Sequence, residues 1–164
     1  MNDAFDISYF ESPLGLIQVK SINQKICLVE FVEKEIEPFT IETPLNKECI
    51  KQLKEYFAGT RLHFDIPIFQ IGTEFQQRVW GELLNIPYGT TQSYGQLARK
   101  IGDIKSVRAV GTTNGKNRIA IIVPCHRVIG SDGSLTGYAG ELWRKEWLLK
   151  HEVKYSGPIE GRLF

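Results

Sequence analysis

The chain has 164 residues, 42% of them hydrophobic, with 20 Lys and Arg against 19 Asp and Glu; that is room for one ordinary domain or two small ones, and a formal charge of +1 excludes a strong non-specific polyanion binder, leaving nucleic-acid contact to a local basic face. Its three cysteines, Cys27, Cys49 and Cys125, form no C-x-x-C pair, which excludes zinc-ribbon and thioredoxin-type motifs and fits a reducing compartment. No basic and then apolar leader precedes Phe10 and no apolar stretch approaches the roughly 20 residues needed to span a bilayer, so a cytoplasmic protein is expected.

The first third reads as strands. Phe5, Ile7 and Tyr9 alternate with Asp6 and Ser8, and the run from Leu14 to Val19 follows after Ser12-Pro13. A third run covers Ile26 to Val32. Period-two patterning between short polar breaks predicts an antiparallel meander. Residues 44–58 are predicted helical, with Leu45, Cys49, Leu53 and Tyr56 on one face and Gly59 as the stop. The stretch Phe64 to Ile68 reads as an edge strand, where Pro67 is tolerated.

A second unit begins near Gly72. Thr73 is the expected N-cap of a helix carrying Phe75, Val79 and Leu83 at four-residue spacing, widened by Trp80 and Leu84 and ended by Pro87-Tyr88-Gly89. Ser93-Tyr94-Gly95-Gln96 has the form of a capping box opening a short helix to about Lys100. After the turn Ile101-Gly102-Asp103, Ser106 is the expected cap of a second short helix running to about Asn114 and closed by Gly115. Two short helices around a tight glycine turn form a helix-turn-helix pattern. The apolar run Ile119 to Val123 is expected as a buried strand, Ser131 to Ser134 as a turn, and Trp143, Trp147 and Leu148 mark a last helix ending near His151-Glu152.

Chemistry concentrates at Pro124-Cys125-His126-Arg127, a thiol at the end of the apolar run followed by an imidazole and a guanidinium. Nearby cations favour thiolate over thiol, and thiolate is the reactive form. Adjacent side chains of an extended segment point to opposite faces, so His126 meets Cys125 only through a water or a turn after Pro124; it is then a general base, its far nitrogen steadied by a carboxylate. The plainer alternative is a buried structural cysteine beside a surface histidine. Cys27 and Cys49 read as structural, and His63 as a solvated loop residue. In the second helix of the pair, Arg108 is followed by the small residues Ala109 to Asn114, with Lys105, Lys116 and Arg118 as a modest basic rim suited to phosphates. An ordinary amphipathic helix with a solvated basic side is the competing reading.

Several of these segments together resemble one family. The stretch Ile121 to Gly130, containing Pro124-Cys125-His126-Arg127, is similar to the active-site signature of the O6-alkylguanine-DNA alkyltransferases. Ile86 to Thr90, Ser93 to Ala98, Arg108 to Gly111, Tyr138-Ala139-Gly140 and Lys145 to Leu149 follow in that family's order and spacing, so the resemblance covers residues 72–152 densely. It implies an α+β fold with two domains. Residues 1–71 would form a ribonuclease H-like antiparallel sheet with a helix, and residues 72–164 a winged helix-turn-helix domain holding the active-site cysteine.

The resemblance also implies a reaction and a set of roles. An O6-alkylguanine is flipped out of duplex DNA and Cys125 takes its alkyl group in one irreversible turnover, with O4-alkylthymine as a further substrate. His126 would take the thiol proton through water, and Glu152 would hold His126. Tyr94 would donate to guanine N3. Asn117 is the hinge asparagine. Arg108 would fill the gap left by the flipped base, and Ala109, Gly111, Thr112, Thr113, Lys116 and Arg127 would complete the DNA-binding set, with the small residues in the minor groove. Tyr94, Val128, Tyr138 and Ala139 would line the pocket. The family pattern calls for no cofactor and no metal in this reaction, and a monomer is expected. Arg118 stands where the family commonly has proline, and Ala139 where some relatives have a hydroxyl. Two other classes remain open on the residues alone: a cysteine hydrolase using Cys125 and His126, and a non-enzymatic helix-turn-helix DNA-binding protein.

Overall fold

The structure is a computed structural model describing residues 4–35 and 42–157. The chain divides into two compact units, Met1–Gln70 and Ile71–Phe164.

The first unit is the expected meander: β1 (Asp6–Ser12), β2 (Gly15–Ile22) and β3 (Lys25–Phe31), antiparallel in the order β1-β2-β3. The β1–β2 corner is closed by Ser12, whose hydroxyl donates to the Gly15 carbonyl and accepts from the Leu14 amide. At the β2–β3 corner Asn23 and Gln24 both have positive φ, 49° and 58°, the pair of left-handed residues that a two-residue hairpin needs to match strand twist. Helix α1 (Pro44–Phe57) starts where Thr43 accepts from the Asn46 amide, with Pro44 at the first position. It buries Asn46, Cys49, Ile50, Leu53 and Tyr56 at helical spacing. Asn46 Nδ2 donates to the Asp6 carbonyl and to Ser8 Oγ, both at 3.1 Å. That bond explains why polar Ser8 is buried in a strand that alternates. The expected edge strand at 64–68 shrinks to one parallel bridge, Ile26 to Ile68, because the proline has no N–H and only its carbonyl joins, accepting from Ile26 N at 2.8 Å.

The second unit is mainly helical: α2 (Glu74–Leu83), α3 (Tyr94–Lys100), α4 (Val107–Gly115) and α5 (Leu142–Ser156). Thr73 and Ser93 head α2 and α3 with complete capping boxes, closed by Gln76 and Gln96. Four expectations are corrected here. Ser106 stands at the N-cap position of α4 but its side chain makes no capping bond; a 3-10 turn (Ile104–Ser106) precedes α4 and the Ser106 hydroxyl donates to the Asp103 carbonyl. Leu84 stays half exposed just past α2. Helix α5 does not end at His151-Glu152 but runs to Ser156. The run 119–123 is no strand: Val123 N donates to Ile119 O, Ile122 N to Ala120 O, and Ile121 has φ +72°. An apolar run reports burial but not backbone shape, and turns within the run together with the Asn117 side chain satisfy much of this backbone. Two short strands, β4 (Gln92–Ser93) and β5 (Val128–Ile129), pair in parallel and set the first residue of α3 beside the segment that follows Cys125. Among the described residues no helix is long and apolar enough to cross a membrane.

Candidate active site

The segment before Cys125 is built around two asparagines at the end of α4. Asn117 Nδ2 donates to the Val123 carbonyl at 2.9 Å and to the Ile119 carbonyl at 3.3 Å, while its Oδ1 accepts from Ile119 N at 3.1 Å. Asn114 Nδ2 reaches the Cys125 carbonyl at 3.2 Å. Residues Cys125–Arg127 then form a 3-10 turn, closed by Arg127 N donating to Pro124 O at 3.0 Å. The chain therefore turns just after Pro124, so the opposite-faces rule of an extended segment does not separate the thiol from the imidazole. Cys125 is 5% exposed and His126 fully buried.

Helix α5 supplies the other half. Lys145, Leu148, Leu149 and Glu152 recur at i, i+3, i+4 and i+7 and are all buried, so the apolar stripe carries a cation at one end and a carboxylate at the other. Glu152 Oε2 meets His126 Nε2 at 2.7 Å and Arg127 Nη2 at 3.1 Å. Glu152 Oε1 accepts from Arg127 Nε at 2.8 Å and from the Gly89 amide at 3.2 Å. A buried carboxylate is tolerated when paired and hydrogen-bonded in this way. His126 Nδ1, buried, has no hydrogen-bond partner among the described residues. Lys145 Nζ donates to the carbonyls of Val128 at 2.5 Å and Thr136 at 2.8 Å.

These contacts set the protonation states. Burial pushes the Cys125 thiol up, opposed by a hydrogen bond from Asn117 and by the charge of Lys145. Burial pushes His126 down; Glu152 opposes this, and Arg127 and Lys145 reinforce it. Burial by itself would raise Glu152, yet His126 and Arg127 hold its carboxyl well below the usual carboxylate range. Burial brings Lys145 down to about 8, against the pull of Cys125. The resting pair is thus a neutral thiol and a neutral imidazole backed by a carboxylate. That arrangement moves a proton only when the sulfur forms a bond.

The residues expected at a site fall into three groups. Cys125, His126, Glu152 and Asn117 come together as described. Tyr94, Val128 and Tyr138 border them. Tyr94 Oη donates to the Thr136 carbonyl at 2.9 Å, and the Lys145 ammonium lies 5.8 Å from its ring centroid. The hydroxyl of buried Tyr138 has no partner among the described residues, and Ala139 is exposed. On α4, Arg108, Ala109 and Thr112 are exposed, as is Lys116 just past its end, and Gly111 is partly covered beside the Tyr94 ring.

Two expectations fail. Thr113 is buried with Val110 and Asn114 on the inner stripe of α4, and its carbonyl accepts from the Trp80 indole at 3.1 Å. Arg127 is 7% exposed and its guanidinium is bonded to Glu152 and to the Ile86 carbonyl, so it faces inward rather than towards a phosphate. Sequence reasoning missed Lys145, Asn114 and Gly89. The i, i+3, i+4, i+7 spacing with Glu152 was the available signal for Lys145. For Gly89, φ is +76° and a Cβ at this position would lie 2.6 Å from Ser156 Oγ, so there is room for glycine alone. Among the described residues no group of His, Cys, Asp or Glu side chains is placed to hold a metal ion. Cys49, buried in α1, has its thiol pushed up to about 12 by burial, as a structural cysteine should.

Two family models match the chain: 6-O-methylguanine DNA methyltransferase, DNA binding domain, over residues 74–154, and 6-O-methylguanine DNA methyltransferase, ribonuclease-like domain, over residues 7–69. A methylated-DNA–protein-cysteine methyltransferase of Methanosarcina acetivorans is 47% identical over 148 residues, 87% of this chain and 95% of the relative. The crystal structure of Mycobacterium tuberculosis O6-methylguanine methyltransferase superposes with a TM-score of 0.85 at 42% identity, covering 96% of this chain and 97% of that one. The M. tuberculosis protein solved in complex with DNA matches at a TM-score of 0.84 and 42% identity, covering 92% and 94%. Both halves of the chain are matched by one family's two domains and the relatives are covered nearly end to end, so the chain belongs to the 6-O-methylguanine DNA methyltransferase family.

Proposed function

We propose that the chain repairs duplex DNA by direct reversal, transferring the alkyl group of O6-alkylguanine to Cys125 once per molecule. The observation that carries this is the buried array in which His126 turns Nε2 to Glu152 and keeps Nδ1 unpartnered next to the Cys125 turn, in a chain whose relatives are named methylated-DNA–protein-cysteine methyltransferases. The relative solved with DNA supports DNA as the partner.

The chemistry follows from the protonation states. As Cys125 Sγ approaches the alkyl carbon, its proton passes to His126 Nδ1 through a water, and Glu152 stabilises the imidazolium. The S–C bond forms while the C–O6 bond breaks, and the electron pair leaves with guanine, which is reprotonated. Asn117 and Lys145 favour the developing thiolate. Tyr94 leaves the Thr136 carbonyl and donates to guanine N3, and Val128, Tyr138 and Ala139 line the pocket. Arg108 fills the duplex behind the flipped base while Ala109, Gly111, Thr112 and Lys116 run along the minor groove. The product is a thioether, which no group here hydrolyses, so the protein is consumed. The same reading extends to O4-alkylthymine. One copy suffices, since every group named lies in Ile71–Phe164; residues 1–71 form the supporting domain and 72–164 the reacting one. The need for a free thiol fits the cytoplasm.

Intact mass after incubation with a duplex carrying one O6-methylguanine is the test. A stoichiometric gain of one methyl group on Cys125, abolished in Cys125→Ala with DNA binding retained, is expected. An unchanged mass beside an intact lesion would refute it. Many turnovers through a labile thioester would instead fit a hydrolase.

A further inference from the structure

Arg127 is buried, charged and unused by the chemistry above. Its Nε and Nη2 fork onto the two oxygens of Glu152 at 2.8 and 3.1 Å, its Nη1 donates to the Ile86 carbonyl at 2.7 Å, and its Cζ lies 5.6 Å from the Tyr88 ring centroid. A planar guanidinium with fixed acceptors on two sides holds a carboxylate in one orientation. Glu152 Oε2 is the atom that also meets His126 Nε2. The carboxylate that steadies the imidazole is therefore shared, oxygen by oxygen, with a permanent cation.

We propose that Arg127 is a positioning residue for alkyl transfer: it orients Glu152 onto His126 and offsets part of that carboxylate's charge, which keeps His126 a neutral proton acceptor at neutral pH. This rests on the base role given to His126 above. An unshared buried carboxylate would draw a proton onto the imidazole, and a protonated imidazole cannot take one from the thiol. The groups facing His126 are Glu152 and Lys145 from α5, and Cys125 and Arg127 from its own turn. Tyr88 and Tyr138 face Glu152 from the segments after α2 and before α5. Of the two cations, Lys145 titrates at about 8, whereas guanidinium groups keep their charge at any working pH, and of the two Arg127 alone touches the carboxylate.

The test is the pH dependence of the transfer rate to the wild type, Arg127→Met and Arg127→Lys, with duplex O6-methylguanine as substrate and methylated protein read by mass. In Arg127→Met the acid limb of the profile is expected to move up by about one pH unit, the size of a single close charge effect. In Arg127→Lys the charge remains, so the limb stays within a few tenths of a unit while the rate falls several-fold at every pH for want of the fork. The salt dependence of DNA binding should be the same in all three, because no phosphate contact is lost. An acid limb unmoved in Arg127→Met, or moved equally in Arg127→Lys, overturns the proposal. Should Arg127→Met not fold, Arg127→Lys decides: a wild-type rate overturns the proposal, and a lowered rate with an unmoved limb supports it. Failure of the parent reading looks different, since the wild type would then gain no methyl group at any pH.

Discussion

Replacing Asn117 by alanine removes three hydrogen bonds that shape the approach to the nucleophile. Their worth is unequal. The Ile119 carbonyl still accepts from Val123 N, and the Val123 carbonyl from Cys125 N, so each loses only a second partner, about 0.5–1 kcal/mol apiece. The Ile119 amide, on a fully buried residue, loses the partner shown for it, at about 1–3 kcal/mol. The sum is a loss of about 2–5 kcal/mol from this unit. Urea unfolding followed by tryptophan fluorescence measures it, because Trp80, Trp143 and Trp147 all lie in Ile71–Phe164. The same change removes a donor to the Cys125 sulfur, so the thiol should titrate higher and react more slowly with iodoacetamide at fixed pH. Asn117→Asp keeps an acceptor for Ile119 N but turns lone pairs on both carbonyls, and should be no more stable than Asn117→Ala. A stability loss below about 1 kcal/mol with an unchanged thiol titration would refute the reasoning.

Lys145→Met should lower the transfer rate by about tenfold, the effect of roughly one pKa unit on the thiol, and should remove the fall in rate expected above pH 8 as Lys145 loses its proton; stopped-flow rates from neutral to alkaline pH check this. Stability should fall on acidification in two stages. His126 and Glu152 are both held below their ordinary values, 6.5 and 4.5, so the unfolded chain binds protons that the folded chain refuses and stability present above each ordinary value is lost below it. The urea midpoint should drop as pH passes below 6.5 and again below 4.5, and Glu152→Gln should flatten the second drop. Arg108→Ala should slow repair of duplex DNA more than reaction with free O6-benzylguanine; equal losses in a side-by-side rate comparison would count against the base-replacement role.

Local signals in the chain carried far. Alternation around Ile7 and Val29 located the meander, and the four-residue spacing of Cys49 and Leu53 located α1. Ser93 and Gln96 marked the start of α3 to the residue, since capping is a contact between neighbours. The tetrapeptide at Cys125 marked the thiol and the imidazole around which the site is assembled. Two of the failures share one cause. Ile119 to Val123 had the composition of a strand, but a side chain outside the run, Asn117, bonds both of its ends and holds it in turns. Thr113 belonged to a small-residue helix, and only the Trp80 indole, 33 residues away in sequence, shows which face is inner.

What the amino-acid order settled unaided is therefore short-range: the strands of the meander, one capping box and one further N-cap, the helix faces of α1 and α2, and a thiol beside an imidazole. The tertiary structure decided which way the charged groups of the site point. His126 to Glu152, Arg127 to Ile86 and Gly89 to Glu152 are contacts across 26, 41 and 63 residues of chain. An arginine that composition assigns to solvent is drawn inward because a buried carboxylate needs its charge matched. Neither that carboxylate's burial nor its contact with the imidazole exists until α5 packs against the turn at Cys125.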